Sequence, residues 1–200
     1  VIGFLLFGVA LQYTGGGQFF LNLAFSLLGY VRGGPAKVAI FASGLMGSMS
    51  GSVITNVLTT GALSSPAMKR IGFKPHVAGG VEACASTGGV LMPPIMGATA
   101  FIMAINLEVP YRDIVVAAVI PSVLYFFALF MQIDGYAAKN KLEGLPKAEL
   151  PTVSQTLKDG WYYVAVFALL IYLLVFMQRE AQAPFYATAL LLIINQLHPK

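Results

Sequence analysis

The sequence predicts an all-α polytopic membrane protein. Hydrophobic residues make up 58% of the chain and charged residues only 10%, whereas a soluble domain averages about 45–50% apolar and about 25% charged residues. So few charges cannot cover a water-facing surface. The apolar residues are also collected into long runs separated by glycine, proline and charged clusters, which is the pattern of membrane-spanning helices.

Seven apolar stretches are predicted to be helical: residues 1–14, 19–31, 38–60, 77–107, 114–133, 162–177 and 186–197. The first is predicted to be truncated because it starts inside an apolar run with no basic flank. The last is predicted to be truncated because it falls short of the roughly 20 residues that a spanning helix needs. Residues 19–31 are short and end at Arg32, which favours an interfacial helix, with a tilted or partial span as the alternative.

The net charge of +4 is carried by the breaks between the apolar stretches. Basic residues in short loops mark the cytoplasmic side of a membrane protein. We therefore expect the lipid bilayer, and not nucleic acid, to be the partner of this charge.

Residues 38–60 have the length of one span, but small polar residues from Gly47 to Ser52 occupy their centre. Basic residues flank the stretch on both sides: Arg32, Lys37, Lys69, Arg70 and Lys74. A single crossing would place two basic loops on opposite faces of the membrane, against the positive-inside rule. The charges therefore predict a re-entrant helical hairpin over residues 36–62 that turns at Ser50-Gly51 and opens to the cytoplasm.

The same charge map divides the chain into three regions. Residues 1–35 form the truncated first helix and the interfacial helix, and residues 36–107 contain the hairpin and a broken helix over 77–107. Residues 108–200 form further transmembrane helices around a cytoplasmic loop at 134–160. That loop contains the next group of lysines: Lys139, Lys141, Lys147 and Lys158.

Residues 77–107 are too long for one ordinary span and contain two interruptions. The first is Ser86-Thr87-Gly88-Gly89 and the second is Pro93-Pro94. A double proline removes two backbone donors and breaks a helix. We therefore predict a broken transmembrane helix.

The hairpin turn and the broken helix are the candidate functional site. Non-helical backbone at membrane depth survives only in protein or along a cavity, and transporters use its free carbonyls for cations. Sodium is a hard cation that prefers oxygen ligands. Small residues also serve helix packing, but here they cluster at two breaks. The candidate residues are Ser48, Ser50, Gly51, Ser52, Thr55, Asn56, Ser86, Thr87, Gly88, Gly89, Pro93 and Pro94.

A sodium ion is the expected coupling ion, and no other cofactor and no catalytic residue is predicted. Its predicted ligands are Ser50, Gly51, Ser52, Ser86, Thr87 and Gly88. We expect the two breaks to converge on one cation site. Glu82 is the one acid inside a long apolar stretch, which makes it a candidate for a site or gate residue. A structural hydrogen-bonding role is the alternative.

An ordered set of motifs resembles the large membrane subunit of tripartite ATP-independent periplasmic (TRAP) transporters, with the fused permease of the TAXI type closest. The motifs are Arg32-Gly33-Gly34-Pro35-Ala36-Lys37-Val38, Ser50-Gly51-Ser52, Met68-Lys69-Arg70-Ile71-Gly72, Ala85-Ser86-Thr87-Gly88-Gly89 and Met92-Pro93-Pro94. The resemblance implies a sodium-driven symporter of the bacterial or archaeal cytoplasmic (inner) membrane. Its substrates would be organic acids, including dicarboxylates, delivered by a periplasmic binding protein.

The resemblance also implies an elevator-type transporter built from inverted repeats, each with a re-entrant hairpin and a broken helix. Ser50-Gly51-Ser52 matches the first hairpin tip, and residues 86–94 match the first broken helix. A second hairpin and broken helix are absent from these 200 residues. The chain is therefore expected to hold about half of a transport site.

Three other functions remain open from the sequence. The first is an elevator-type organic anion symporter that needs no binding protein. The second is an intramembrane serine protease, suggested by Ser50-Gly51, although a base inside the membrane is needed and the histidines, His76 and His198, lie outside the long apolar runs. The third is a scaffold subunit without a site, which continuous helices at the two breaks would favour.

Overall fold

The computed structural model describes residues 2–177 and 182–197, and within these ranges its regular elements are helices without a strand. Val1 and His198 therefore lie outside the described residues. The α-helices are α1 (Ile2–Tyr13), α2 (Gly16–Leu28), α3 (Gly34–Ser50), α4 (Val53–Arg70), α5 (Pro75–Gly89), α6 (Ala98–Asn106), α7 (Tyr111–Lys139), α8 (Val153–Ile171) and α9 (Ala183–Leu197). A 3₁₀ turn, Lys147–Glu149, precedes α8, and a π-helical turn, Tyr172–Phe176, follows it.

Helices α3 and α4 form an antiparallel helical hairpin. Gly51 ends α3 in the left-handed region (φ 61°) and its N–H donates to the Gly47 carbonyl at 2.9 Å. Glycine adopts this conformation without a Cβ clash. Ser52 is extended and caps α4, since its hydroxyl accepts from the Thr55 N–H at 3.4 Å. The arms extend beyond the predicted range of 36–62, and the position of the hairpin in the membrane stays a prediction.

The basic loops gather at one end of the helices, which we call the basic end. The Gly33 N–H donates to the Leu142 carbonyl at 3.2 Å, and Arg32 pairs with Asp134. Arg70, at the end of α4, pairs with Glu149 at 2.7 Å. Both ends of the hairpin and the loop after α7 therefore lie together, as the positive-inside rule requires if this end faces the cytoplasm.

The predicted broken helix is present, and its break lies at the second of the two predicted interruptions, Pro93-Pro94. Helix α5 runs through to Gly89, and α6 begins at Ala98. The prediction that Ser86 to Gly89 interrupt the helix is therefore wrong, because these residues form its last turn. Residues 90–97, which we call the break, include the cis Pro93–Pro94 peptide.

The predicted loop at 134–160 is shorter than expected. Helix α7 continues to Lys139 and α8 begins at Val153, so the connection comprises residues 140–152. The apolar pattern marked only the lipid-facing part of each helix, whereas backbone hydrogen bonds continue into the polar ends. Within the described ranges, two helical segments are long and apolar enough to span a membrane, Tyr111–Lys139 and Lys147–Leu174. Helices α1 and α2, bent by 68° at Gly15, make a third if they act as one span.

Helix α3 is central in the packing and contacts α1, α2, α4, α5 and α7. One buried apolar cluster joins the tip half of α3 to α1, α2, α8 and α9. A second cluster joins the basic ends of α3, α4, α5 and α7 around Met68 and Phe73. The hairpin is thus held along its whole length, and its turn lies at the end remote from the basic loops.

Candidate functional site

The hairpin tip, residues 48–52, contacts the break. The Ile95 N–H donates to the Ser48 carbonyl at 3.2 Å, so the break is bonded to the last turn of α3. A Cβ placed on Gly51 would lie 2.5 Å from the Met96 carbonyl oxygen. Because no side chain fits there, Gly51 allows the two non-helical segments to meet backbone to backbone.

Helix α7 holds the break from the other side. The Tyr111 hydroxyl lies 3.1 Å from the Pro94 carbonyl oxygen and also hydrogen bonds the Ile95 carbonyl. The Tyr111 ring stacks on Phe101 of α6 with centroids 4.2 Å apart. Polar groups freed by the interrupted helix are therefore bonded within the protein, as the absence of water at membrane depth demands.

One turn below the tip, α3 and α5 cross at two glycines. A Cβ on Gly47 would lie 2.4 Å from the Gly89 Cα, and a Cβ on Gly89 would lie 2.5 Å from the Ser43 carbonyl oxygen. The Asn56 side chain enters this crossing from α4, and its Nδ2 donates to the Ser43 carbonyl at 2.9 Å. Three helices therefore meet at Gly47, Gly89 and Asn56.

Among the residues that the structure describes, two buried side-chain oxygens near this junction have no hydrogen-bond partner. They are Asn56 Oδ1 and Ser86 Oγ, and both residues are fully buried. Ser86 lies about one helical turn before Gly89, which Asn56 contacts. Buried polar atoms without a protein partner are rare, and an ion or an ordered water often satisfies them. Neutral oxygens of this kind fit a hard cation such as sodium.

Further toward the basic end, the buried Glu82 side chain bonds the hairpin. Ser64 Oγ donates to Glu82 Oε2 at 2.6 Å, and the Thr60 hydroxyl contacts Glu82 Oε1. Ser43 Oγ lies 3.1 Å from Thr60 Oγ1, which adds α3 to the network. Glu82 therefore has the hydrogen-bonding role that the sequence left as an alternative, and its contacts link α5 to both hairpin arms.

The structure brings only part of the predicted site together. Ser48, Ser50, Gly51 and Ser52 form the tip, Thr55 is half-buried one turn into α4, and Pro93 and Pro94 lie in the break. Asn56 and Gly89 meet below the tip, and Ser86 is buried about one turn before Gly89. Two predicted sodium ligands face elsewhere. Thr87 is exposed and its hydroxyl donates to the Ala83 carbonyl at 2.8 Å. A Cβ on Gly88 would lie 2.3 Å from Tyr125, so Gly88 faces α7.

Sequence reasoning missed Ser43, Thr60 and Ser64, the partners of Glu82. A signal was present in the spacing of Asn56, Thr60 and Ser64, since residues four apart share one face of a helix. Glu82 and Ser86 have the same spacing on α5. Polar residues that repeat every four positions on two otherwise apolar helices indicate that the two polar faces pack against each other.

A hairpin whose tip meets a broken helix, beside apolar spans, defines part of a polytopic membrane transporter. The family model of the tripartite ATP-independent periplasmic transporter, DctM component, matches residues 1–200. The chain therefore belongs to the TRAP transporter large permease family, which confirms the resemblance and places it among multi-pass proteins of the inner membrane. The TAXI type and the elevator mechanism stay predictions.

Curated relatives agree with this family. The chain is 29% identical over 168 residues to the sialic acid TRAP transporter permease protein SiaT of Haemophilus influenzae, covering 84% of the chain and 27% of that protein. It is 29% identical over 150 residues to the C4-dicarboxylate TRAP transporter large permease protein DctM of Pseudomonas aeruginosa, covering 74% of the chain and 35% of that protein. The chain thus spans about a third of these relatives' length. Their names describe permeases, which disfavours the protease alternative.

Proposed function

We propose that this chain supplies half of the transport site of a sodium-coupled TRAP-type permease that imports an organic acid. The two unpartnered buried oxygens, Asn56 Oδ1 and Ser86 Oγ, carry the proposal. They lie near the place where the hairpin meets the broken helix. Helices are interrupted at residues 51–52 and 90–97 of the described chain, and helices continuous through both regions would instead have favoured a scaffold without a site.

Asn56 and Ser86 would hold the cation, together with carbonyl groups at the tip. Helix α3 ends at the tip, so its last carbonyls point out of the helix with the negative end of its dipole. Among the described residues no backbone N–H donates to the carbonyls of Met49 or Ser50. A bound sodium ion supplies positive charge that these neutral oxygens stabilise without an acidic ligand.

Two helix N-termini beside the tip suit the carboxylate of the substrate. Helix α4 begins at Val53 directly after the turn, and α6 begins at Ala98 directly after the break. Each N-terminus has free N–H groups and a positive dipole end, which favour anions. The contact between Gly51 and Met96 brings the two N-termini to the same place.

The substrate class follows from this charge and from the relatives. The two relatives described above are named for sialic acid and for C4-dicarboxylates, and both are carboxylic acids. We propose that this chain also acts on a carboxylate, delivered by a periplasmic binding protein as in a tripartite system. The second half of the site would come from residues beyond the third of the relatives' length that the chain covers.

Uptake by the full-length protein with its binding protein tests the proposal. Radiolabelled C4-dicarboxylate and sialic acid are supplied to proteoliposomes under an inward gradient of sodium or of potassium. We expect accumulation of one acid in sodium only, and a raised half-saturating sodium concentration in Ser86→Ala. Equal uptake in both gradients, or an unchanged sodium requirement in Ser86→Ala, would refute sodium coupling at this site.

Uptake measured without the binding protein distinguishes the TRAP-type permease from the runner-up function, an organic anion symporter that needs no binding protein. A TRAP-type permease requires the binding protein for uptake at low substrate concentration. An elevator-type organic anion symporter takes up the acid equally well without it. The family match favours the first outcome.

A further inference from the structure

Glu82 occupies a buried site surrounded by hydroxyl groups. Its side chain is 3% exposed, and Thr60 and Ser64 of α4 bond its two carboxyl oxygens. Gly61, between them, packs against it so closely that a Cβ would lie 3.0 Å from Glu82 Cγ. Each carboxyl oxygen therefore has a hydroxyl partner, and the close packing at Gly61 leaves little room for solvent on that side.

No positive charge balances this carboxyl group. The ion pairs of residues 2–177 and 182–197 join Arg32 and Lys37 to Asp134 and Arg70 to Glu149, and none includes Glu82. Glu82 packs against α3 and α4, and α7 packs on its own helix. The basic and titratable side chains on these helices, apart from those at the N-terminus of α7, are Lys37, Lys69, Arg70, His76, Cys84, Tyr125, Asp134, Tyr136 and Lys139.

Those groups are engaged elsewhere or lie toward the helix ends. Lys37 is held by Asp134, and the Tyr125 hydroxyl donates to the Cys84 carbonyl at 2.9 Å. Lys69 and His76 lie in the terminal turns of α4 and α5. An ionised Glu82 would thus be stabilised by hydroxyl donors alone, which is an expensive arrangement for a buried charge.

The hydroxyl network accommodates Glu82 with or without a proton. In the ionised form, Thr60 and Ser64 donate to the carboxylate, and Ser43, at 3.1 Å, donates to Thr60 Oγ1. In the neutral form, Glu82 donates its proton to Thr60 Oγ1, and Thr60 turns its hydrogen to the Asn56 carbonyl, 2.8 Å away. Only hydroxyl rotations separate the two states, so a proton is gained or lost without moving a helix.

We infer that Glu82, with Thr60 and Ser64, forms a proton-binding site between α5 and the hairpin, separate from the cation site at Asn56 and Ser86. Glu82 lies seven residues after the start of α5, or roughly 10 Å along the helix from the basic end.

Infrared difference spectroscopy of the full-length protein in lipid, recorded between acid and alkaline buffer, tests this site without sodium or substrate. A protonated carboxyl group has a carbonyl stretching band that a carboxylate lacks. We expect the wild type to lose one such band on the alkaline side, and Glu82→Gln to lack that band. Identical difference spectra for the wild type and Glu82→Gln would overturn the inference.

A second pair of variants tests the hydroxyl network and serves if Glu82→Gln does not fold. Thr60→Val keeps the side-chain shape but removes a donor to the carboxylate, so the band should persist to more alkaline pH, by about one unit or more. Thr59→Val is the matched control, because Thr59 bonds the Thr55 carbonyl at 2.8 Å. An unchanged midpoint in Thr60→Val, or an equal shift in Thr59→Val, would contradict the network.

Discussion

Gly47 of the hairpin and Gly89 of the broken helix touch backbone to backbone, and a Cβ on Gly47 would lie 2.4 Å from the Gly89 Cα. This contact lets Asn56 reach the Ser43 carbonyl through the crossing of three helices. The small residues near the breaks therefore have two roles. Those at the crossing give close packing, and those at the tip give a turn.

Gly89→Ala should destabilise the protein, because its methyl group would lie 2.5 Å from the Ser43 carbonyl oxygen. Overpacking of this kind typically costs about 1–3 kcal/mol. Gly79→Ala on the same helix is the control, because a Cβ there meets nothing within 4 Å in the described chain, and alanine favours a helix by about 0.5–1 kcal/mol. The midpoint of thermal unfolding in detergent should fall for the first variant and stay level or rise for the second. The opposite order would contradict the crossing.

Asp134→Asn should lower the unfolding midpoint because it leaves Lys37, with a 6% exposed side chain, without its acidic partner. The double variant Lys37→Met with Asp134→Asn should recover much of the loss, since an apolar side chain of similar length needs no counter-charge. Glu149→Gln is the matched control, because Glu149 and Arg70 are both exposed and such pairs contribute little. A loss that the double variant does not recover would show that Lys37 is not the cause.

A re-entrant hairpin has both of its ends accessible from the same side of the membrane. In a Cys84→Ser background, the single substitutions Arg32→Cys, Lys74→Cys and Lys141→Cys should all react with an impermeant thiol reagent from the cytoplasmic side. Arg112→Cys, at the other end of α7, should react from the periplasmic side. Labelling of Arg32→Cys and Lys74→Cys from opposite sides would show that α3 and α4 cross the membrane once between them.

The helical hairpin could be predicted because it depends on local properties of the chain, the positions of its basic residues and of its glycines. Arg32 and Lys69 predicted that both arms of the hairpin end on the same side, and Gly51 predicted the position of the turn to within one residue. Of the two interruptions predicted for residues 77–107, Pro93-Pro94 lies in the observed break, whereas Ser86 to Gly89 were misassigned for a physical reason. In isolation, Ser86 to Gly89 have a low helix propensity. The close packing of Gly89 against Gly47 stabilises the helical conformation of these residues, so packing outweighs local propensity.

The contacts of Glu82 could not be derived from local properties. They depend on which face of α4 opposes α5, and this is decided by the crossing of α3 and α5. The same limit explains why Thr87 was assigned as a ligand beside Ser86. Neighbouring residues of a helix point about 100° apart, so Ser86 is buried and Thr87 is exposed.

Sodium-dependent thermal unfolding of the full-length protein, measured in sodium and in potassium at equal ionic strength, tests the cation site most directly because it needs no substrate. Binding to the folded state alone stabilises a protein by about 2.7 kcal/mol at a ligand concentration of 100 Kd. We predict that sodium raises the unfolding midpoint of the wild type and of Thr87→Ala, and that Asn56→Ala and Ser86→Ala lose this increase. Equal midpoints in the two salts for the wild type, or a full sodium effect in both Asn56→Ala and Ser86→Ala, would contradict the site.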